Sequence, residues 1–263
     1  MPSFTTLLSS LAQNADGSIS LTVPETWMQG RTTYGGLTAA LALEAARTLV
    51  DDIPVRSAQV AFVGPVGGAI RMAPKLLRRG KNTAYISVDT LSGDSVMAQC
   101  IFTFGKARES SLNFNDIPMP AVPPPETDRS FFSEGPRPGF IQNFNMKGVL
   151  GDPPISGSDN PTIGLWMRHA EENAPQNATA VLAIGDAPPP AALSMLKTPA
   201  PISSMTWMAE FMTDDIKTSR DGWWFAQHTA QLANQGYSSQ SMRLWNADGQ
   251  PILVGRQTVA VFG

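Results

Sequence analysis

The chain has 263 residues, 42% of them hydrophobic and 16% charged, with a formal net charge of −3. This is enough chain for one large domain or two small ones around a sizeable core. The charge balance gives no reason to expect nucleic acid or an anionic membrane as a partner. The single cysteine, Cys100, rules out an intrachain disulfide, and the only histidines, His169 and His228, leave almost no ligands for a Cys/His zinc site.

In chain order, Ser3 to Gln13 reads as a short helix and Ser18 to Val23 as a strand that stops at Pro24. Leu37 to Val50 is the clearest helix. It is apolar on nearly all sides, with only Glu44 and Arg47 charged, so the pattern predicts a helix wrapped by other elements. Gly35-Gly36 at its start leave backbone N–H groups open to a ligand. Strands follow at Val55 to Val63, Ile70 to Leu77, Thr83 to Leu91 and Ser95 to Phe104. Gly64-Pro65, Arg79-Gly80-Lys81-Asn82 and Ser92-Gly93-Asp94 punctuate them. One buried helix before a meander of strands describes a sheet wrapped around a helix.

Lys106 to Asn160 is rich in proline, including Pro123-Pro124-Pro125, and proline at that density resists both helix and sheet interior. Most of it reads as an extended connector. Phe131, Phe132, Phe140 and Phe144 imply that parts of it pack against the body, and Phe140 to Val149 reads as an opening strand of the second half. Thr162 to Glu171 is strand-like. Ala178 to Ile184 and Pro188 to Lys197 are helical in composition, interrupted at Gly185-Asp186-Ala187, with the prolines suited to a fresh helix start. Strands are predicted at Ile202 to Met212, Gly222 to Leu232, Ser238 to Ala247 and Ile252 to Phe262.

The second half repeats the first. Val96 to Gly105 lies over Val254 to Gly263, both ending in Phe-Gly, with Gln99 over Gln257. A strand-like run ends at Phe62 in one half and at Phe211 in the other. Before each comes a small-residue helix, opened by Gly35-Gly36 and by Gly185-Asp186 respectively. A tandem duplication is the simplest account of that shared order.

A duplicated helix-in-sheet unit of this size resembles the α+β double hotdog fold, and three segments resemble the type II acyl-CoA thioesterase family. Trp27 to Gly36 is similar to the family's first-half helix entry. Gly185-Asp186-Ala187-Pro188-Pro189-Pro190 resembles its second-half helix entry, where a catalytic aspartate stands. Val254-Gly255-Arg256-Gln257 is similar to the strand holding a catalytic glutamine. The resemblance implies a first hotdog unit over 1–105, a connector over 106–139 and a second unit over 140–263. It implies hydrolysis of an acyl-CoA substrate, without a metal or other cofactor, by Asp186, Ser204 and Gln257. The family has threonine where counting back from Phe211 reaches Ser204, and often an acidic residue where Thr206 stands. Gly35, Gly36 and Trp207 are the candidate substrate-binding residues.

The residues also carry information without the family. Alternation puts Gln257 on one face with Leu253, Gly255, Val259 and Val261, and a glutamine on an apolar face needs partners, since an unpaired buried amide costs about 1–3 kcal/mol. Its partner is then an attacking water, Asp186, or backbone in a purely structural bond. Asp186 also suits the plain role of helix cap. Ser204 is contested, because alternation groups Ser203, not Ser204, with Trp207, Ala209 and Phe211, whereas the repeat favours Ser204. Cys100 reads as a small buried hydrophobe.

Non-hydrolytic binding of an acyl-CoA or other hydrophobic ligand is the second reading. A hotdog hydratase ranks last, since neither histidine lies in a helix-entry motif. The opening residues lack a basic stretch followed by an apolar run, and no window approaches the roughly 18 apolar residues of a membrane span, so a cytoplasmic protein is expected. A homodimer is plausible by analogy with the fold.

Overall fold

A computed structural model describes residues 2–126, 131, 137–218 and 220–262. The elements are α1 (Phe4–Ser9), β1 (Ala12–Gln13), β2 (Ile19–Thr22), β3 (Met28–Gln29), β4 (Thr32–Thr33), α2 (Gly35–Arg47), β5 (Val55–Phe62), β6 (Ala69–Arg79), β7 (Thr83–Ser92) and β8 (Ser95–Gly105). After the connector come β9 (Phe144–Leu150), β10 (Thr162–His169), α3 (Ala178–Gly185), β11 (Ile202–Phe211), β12 (Trp224–Asn234), β13 (Tyr237–Asn246) and β14 (Pro251–Val261).

All strands but β3 and β4 join one antiparallel sheet in the order β1-β2-β6-β7-β8-β5-β11-β14-β13-β12-β10-β9. The halves meet where β5 pairs with β11, Val60 opposite Trp207 and Ala58 opposite Ala209. Alternate residues of these strands turn inward. On β8, Ala98, Cys100, Phe102 and Phe104 are buried, and on β7, Ala84, Ile86 and Val88. They close around α2, whose alanines and leucines are fully buried. The architecture is the α+β double hotdog. Cys100 is buried among these groups, and burial pushes its thiol up to about 12, so it packs as a small hydrophobe.

Helices α2 and α3 run antiparallel inside the sheet. The start of α2 meets the end of α3, where a Cβ on Gly36 would come within 2.6 Å of the Ala183 carbonyl oxygen. Only glycine lets the two backbones approach so closely. At the other end, Thr179 of α3 donates to Glu44 of α2. Tyr34, just before α2, donates its hydroxyl to the Ala183 carbonyl at 2.5 Å and stacks on Phe140 with centroids 4.4 Å apart.

Several expectations need correction. The first helix is shorter than Ser3 to Gln13. Ser3 caps it by accepting from the Thr6 N–H, and the chain has turned into β1 by Ala12. Phe140 to Val149 is not one strand: a 3-10 turn over Gly139–Asn143 precedes β9. Pro188 to Lys197 contains only a 3-10 turn, Ala191–Met195, because consecutive prolines remove the N–H groups that an α-helix needs. Asp186 therefore stands at the exit of α3, not at the entry of a helix that follows it.

The connector is partly tied down. Trp166 donates to the Pro123 carbonyl at 2.7 Å and Trp245 to that of Ile117 at 2.9 Å. Ile117, Met119 and Val122 pack on the cluster of Trp166, Trp223, Phe225 and Trp245. Phe131, Phe140 and Phe144 are buried as expected, whereas Phe132 lies outside the described residues. Among the described residues, no helix is long and apolar enough to cross a membrane.

Candidate active site

The junction where α2 begins and α3 ends brings together Asp186, Ser204 and the buried Gln257. Tyr34 occupies the N-cap position of α2 but offers no capping side chain, so the first-turn amides must find partners elsewhere. Asp186 supplies one: the Gly36 N–H faces its carboxylate. Gly35 has to be glycine, because a Cβ there would lie 2.6 Å from Asp186 Oδ2 and 2.7 Å from the Phe62 ring.

From the sheet side, Gln257 Nε2 donates to Asp186 Oδ1 at 2.7 Å and to Ser204 Oγ at 3.1 Å. Gln257 is 3% exposed and shares the inner face of β14 with Leu253, Gly255 and Val259, as its alternation requires. Gly36 and Gln257, far apart in sequence, thus converge on one carboxylate, and Gln257 links it to Ser204.

The contest between Ser203 and Ser204 ends in a β-bulge. On β11, Ser204 pairs with Val259 and Thr206 with Thr258, leaving Met205 as the extra residue. The bulge reverses the phase of alternation, so Met205 and Thr206 are both exposed and Ser204 joins the face of Trp207, Ala209 and Phe211. Strict alternation through that point misassigns every residue before it. Thr206 lies on the outer face, in a groove of about 340 Å³ that Gln59, Gln99, Met208 and Arg256 also line.

Gln99 requires a second correction. It is exposed on the outer face of β8 and donates to Asp89 at 2.7 Å. The inner positions beside it are Ala98 and Cys100. Superposing the two Phe-Gly ends matches the glutamines in sequence but puts them on opposite faces of the sheet. Trp207 is 1% exposed, and its ring lies beneath Gly185, 3.7 Å from where a Cβ would stand. It forms the floor under the Asp186 turn.

Asp186 is half-buried and keeps part of its surface open, as do Gly35 and Ser204. The apolar packing around it nevertheless dominates its ionisation. Desolvation raises its carboxyl from 3.8 to about 7, against the lowering effect of the hydrogen bonds from Gln257 and Gly36. The neighbouring Tyr34 is held well above its ordinary value, first by burial and then by the Asp186 charge. His228, on β12, is lowered by burial to about 4 and stays neutral, its ring facing the carbonyls of Pro189 and Gly185 on either side of Asp186.

Two residues that sequence reasoning passed over belong here. His228 braces the Asp186 turn from behind, and Gln240 contacts both that loop and Gln257. The inward phase of β12 and β13 was the available signal for both. Among the described residues, no group of three or more His, Cys, Asp or Glu side chains is arranged to hold a metal ion.

A desolvated carboxyl raised toward neutrality, bonded by a glutamine that also bonds a serine, stands at the first turn of a helix inside a double hotdog, and such a perturbed group marks a candidate site of a hotdog-fold protein. Comparison with known proteins gives the family. The acyl-CoA thioesterase C-terminal domain matches residues 118–261, and the acyl-CoA thioesterase N-terminal domain matches residues 23–105. The chain belongs to the acyl-CoA thioesterase family and is a thioester hydrolase of that type. No curated protein matches its sequence.

Solved structures agree on the fold. A hot dog fold protein of unknown function from Alicyclobacillus acidocaldarius superposes with a TM-score of 0.88 at 22% identity, covering 98% of this chain and 97% of the other. A putative thioesterase II from Thermobifida fusca gives 0.83 at 16% identity over 100% and 98%. Acyl-CoA thioesterase II TesB2 from Mycobacterium marinum gives 0.78 at 18% identity over 97% of each chain.

Proposed function

We propose that this enzyme hydrolyses an acyl-CoA to the free acid and CoA, with Asp186 as the general base and Gln257 and Ser204 orienting the attacking water. The observation that carries the reading is a carboxyl raised to about 7 within hydrogen-bond reach of a glutamine shared with a serine. A base titrating near the working pH combines a useful ionised fraction with a useful proton affinity.

Water attacks the thioester carbonyl carbon while its proton passes to Asp186. The carbonyl electron pair moves onto oxygen, and the developing charge is met by the first turn of α2 at Gly35 and Gly36, the positive end of that helix. Gly36 divides its influence between the carboxylate and this oxyanion. As the carbonyl reforms, the C–S bond breaks, CoA leaves as thiolate, and the proton on Asp186 returns to sulfur. The step needs no covalent enzyme intermediate and no cofactor. Ser204 supplies the hydroxyl, as the acceptor of the Gln257 bond and a donor to the water.

One such site per chain fits the sheet, because the inner positions of β8 carry no glutamine. The acyl group enters past the Phe62 ring at the half-buried corner beside Gly35. The test is free-thiol release from short, medium and long acyl-CoAs by the wild type and by Asp186→Ala. A loss of about 10²–10⁴-fold in the mutant is expected. Equal turnover by both proteins would remove Asp186 from the reaction.

A further inference from the structure

Gln240 on β13 is 1% exposed, and both ends of its amide are engaged. Its Oε1 accepts from the Ala191 N–H at 2.9 Å, and its Nε2 donates to Gln257 Oε1 at 2.7 Å. Gln257 passes the chain on through Nε2 to Asp186 and Ser204. The polarity of this relay is set at its far end. Ala191 presents a backbone N–H, which can only donate. The Gln240 atom facing it must be the carbonyl oxygen, and that turns the Gln240 NH2 toward Gln257. Gln257 must answer with its own carbonyl oxygen, which leaves its NH2 for the carboxylate. One peptide N–H thus dictates amide orientation two side chains away.

The opposite orientation of Gln257 would set its Oε1 against the Asp186 carboxylate, acceptor against acceptor. Ser204 does not decide between the two orientations, because a hydroxyl can donate as readily as accept. The bond from Gln240 is what locks the productive state. The same amide holds the Asp186-bearing loop at Ala191, so a single side chain registers the loop and the glutamine against each other. An apolar residue of similar size would fill the space on the inner face of β13. What glutamine adds is direction.

We infer that Gln240 is a positioning residue for the hydrolysis, one that keeps the Gln257 amide turned toward Asp186 and ties that orientation to the Asp186 loop. This rests on the proposed roles of Asp186 and Gln257. Gln240 touches neither water nor substrate and acts only through Gln257.

The test compares kcat, KM, the pH profile of kcat/KM and the melting temperature for Gln240→Met, Gln240→Glu, Gln257→Ala and the double variant Gln240→Met/Gln257→Ala. Gln240→Met should lose kcat by up to about 100-fold, as small misplacements at an active site do, with KM nearly unchanged. In Gln240→Glu, the ionised carboxylate still accepts from Ala191 but cannot donate to Gln257. Gln257 then turns its NH2 toward the introduced carboxylate and its oxygen toward Asp186, so the acidic limb of the profile should move to higher pH. Tyr34 and His228, the titratable groups beside Asp186, stay uncharged across that range.

The double variant should be no slower than Gln257→Ala alone, since both changes cut one relay. Wild-type kcat and pH profile in Gln240→Met and Gln240→Glu, beside a collapsed Gln257→Ala, would overturn the inference and leave the site reading intact. Wild-type turnover in Gln257→Ala would instead overturn the site reading itself. If Gln240→Met fails to fold, Gln240→Glu carries the same test, because it keeps the bond to Ala191.

Discussion

At each end of the α2–α3 pair, a carboxylate near the C-terminus of one helix faces the first turn of the other: Asp186 against Gly35 and Gly36, Glu44 against Thr179. Behind them the two halves of the sheet differ. The buried positions of β7 and β8 are apolar apart from Thr90, whereas β13 and β14 bring Ser238, Gln240 and Gln257 inward. A buried amide without partners costs about 1–3 kcal/mol. The second half meets that cost by pairing its glutamines with each other and with Asp186, and the first half avoids it by using Ala98, Cys100 and Phe102. Duplicated architecture supplies two helix junctions, and on the proposed reading the inward residues of the sheet decide which one is equipped for chemistry.

Substitutions at the two junctions should therefore differ in kind. Gly35→Ala forces a Cβ onto Asp186 and Phe62. A loss of turnover of about 100-fold is expected from the displaced carboxylate, with about 1–3 kcal/mol of stability lost to overpacking. Kinetics and denaturant unfolding of the same variant read both. Ser204→Ala removes an acceptor of the Gln257 bond and should lower kcat by about 10-fold, roughly 1.4 kcal/mol, with little change in melting temperature. At the other junction, Glu44→Gln keeps an acceptor for Thr179 and should leave turnover unchanged. Gln99→Ala, on the outer face, should change neither turnover nor stability by more than about 0.5 kcal/mol. A turnover defect in Glu44→Gln would break the contrast between the two ends.

Stability should also separate the ends by pH. Asp186 is raised from 3.8 to about 7 in the folded state, so the native protein holds more protons than the unfolded chain between those values. Stability is unaffected below about pH 4, falls as pH rises through this window and levels off above about 7. The full effect is roughly 4 kcal/mol at most. Asp186→Asn abolishes the titration. Relative to wild type it should gain stability steadily from about pH 4 to about pH 8, measured as urea midpoints across that range.

Much of this was legible in the chain. The buried helix after Gly35-Gly36, the four strands that follow and the inward face of Gln257 rest on short-range periodicity, and the sheet preserves that periodicity wherever pairing is regular. Reading failed where regular pairing fails. The bulge at Met205 inverted the phase that would have placed Ser204. The prolines after Asp186 suggested a helix start, but the chain bends there with the carbonyls of Gly185 and Pro189 turned toward His228, a residue far along the sequence. The Gln99–Gln257 match relied on letters without faces. The roles of Gln240 and His228 depend on contacts between β12, β13 and a loop, and single-strand patterning carries no information about such contacts.

The claim most exposed to test is that Asp186 is the base and titrates near neutrality. The direct measurement is kcat/KM for thiol release from about pH 5 to about pH 9, for wild type and Asp186→Asn. The wild type should rise with pH to a half-maximum near 7, and the variant should be slower by about 10²–10⁴-fold and show no inflection there. An inflection that persists in Asp186→Asn, or a wild-type rate already flat across the whole range, would contradict the account.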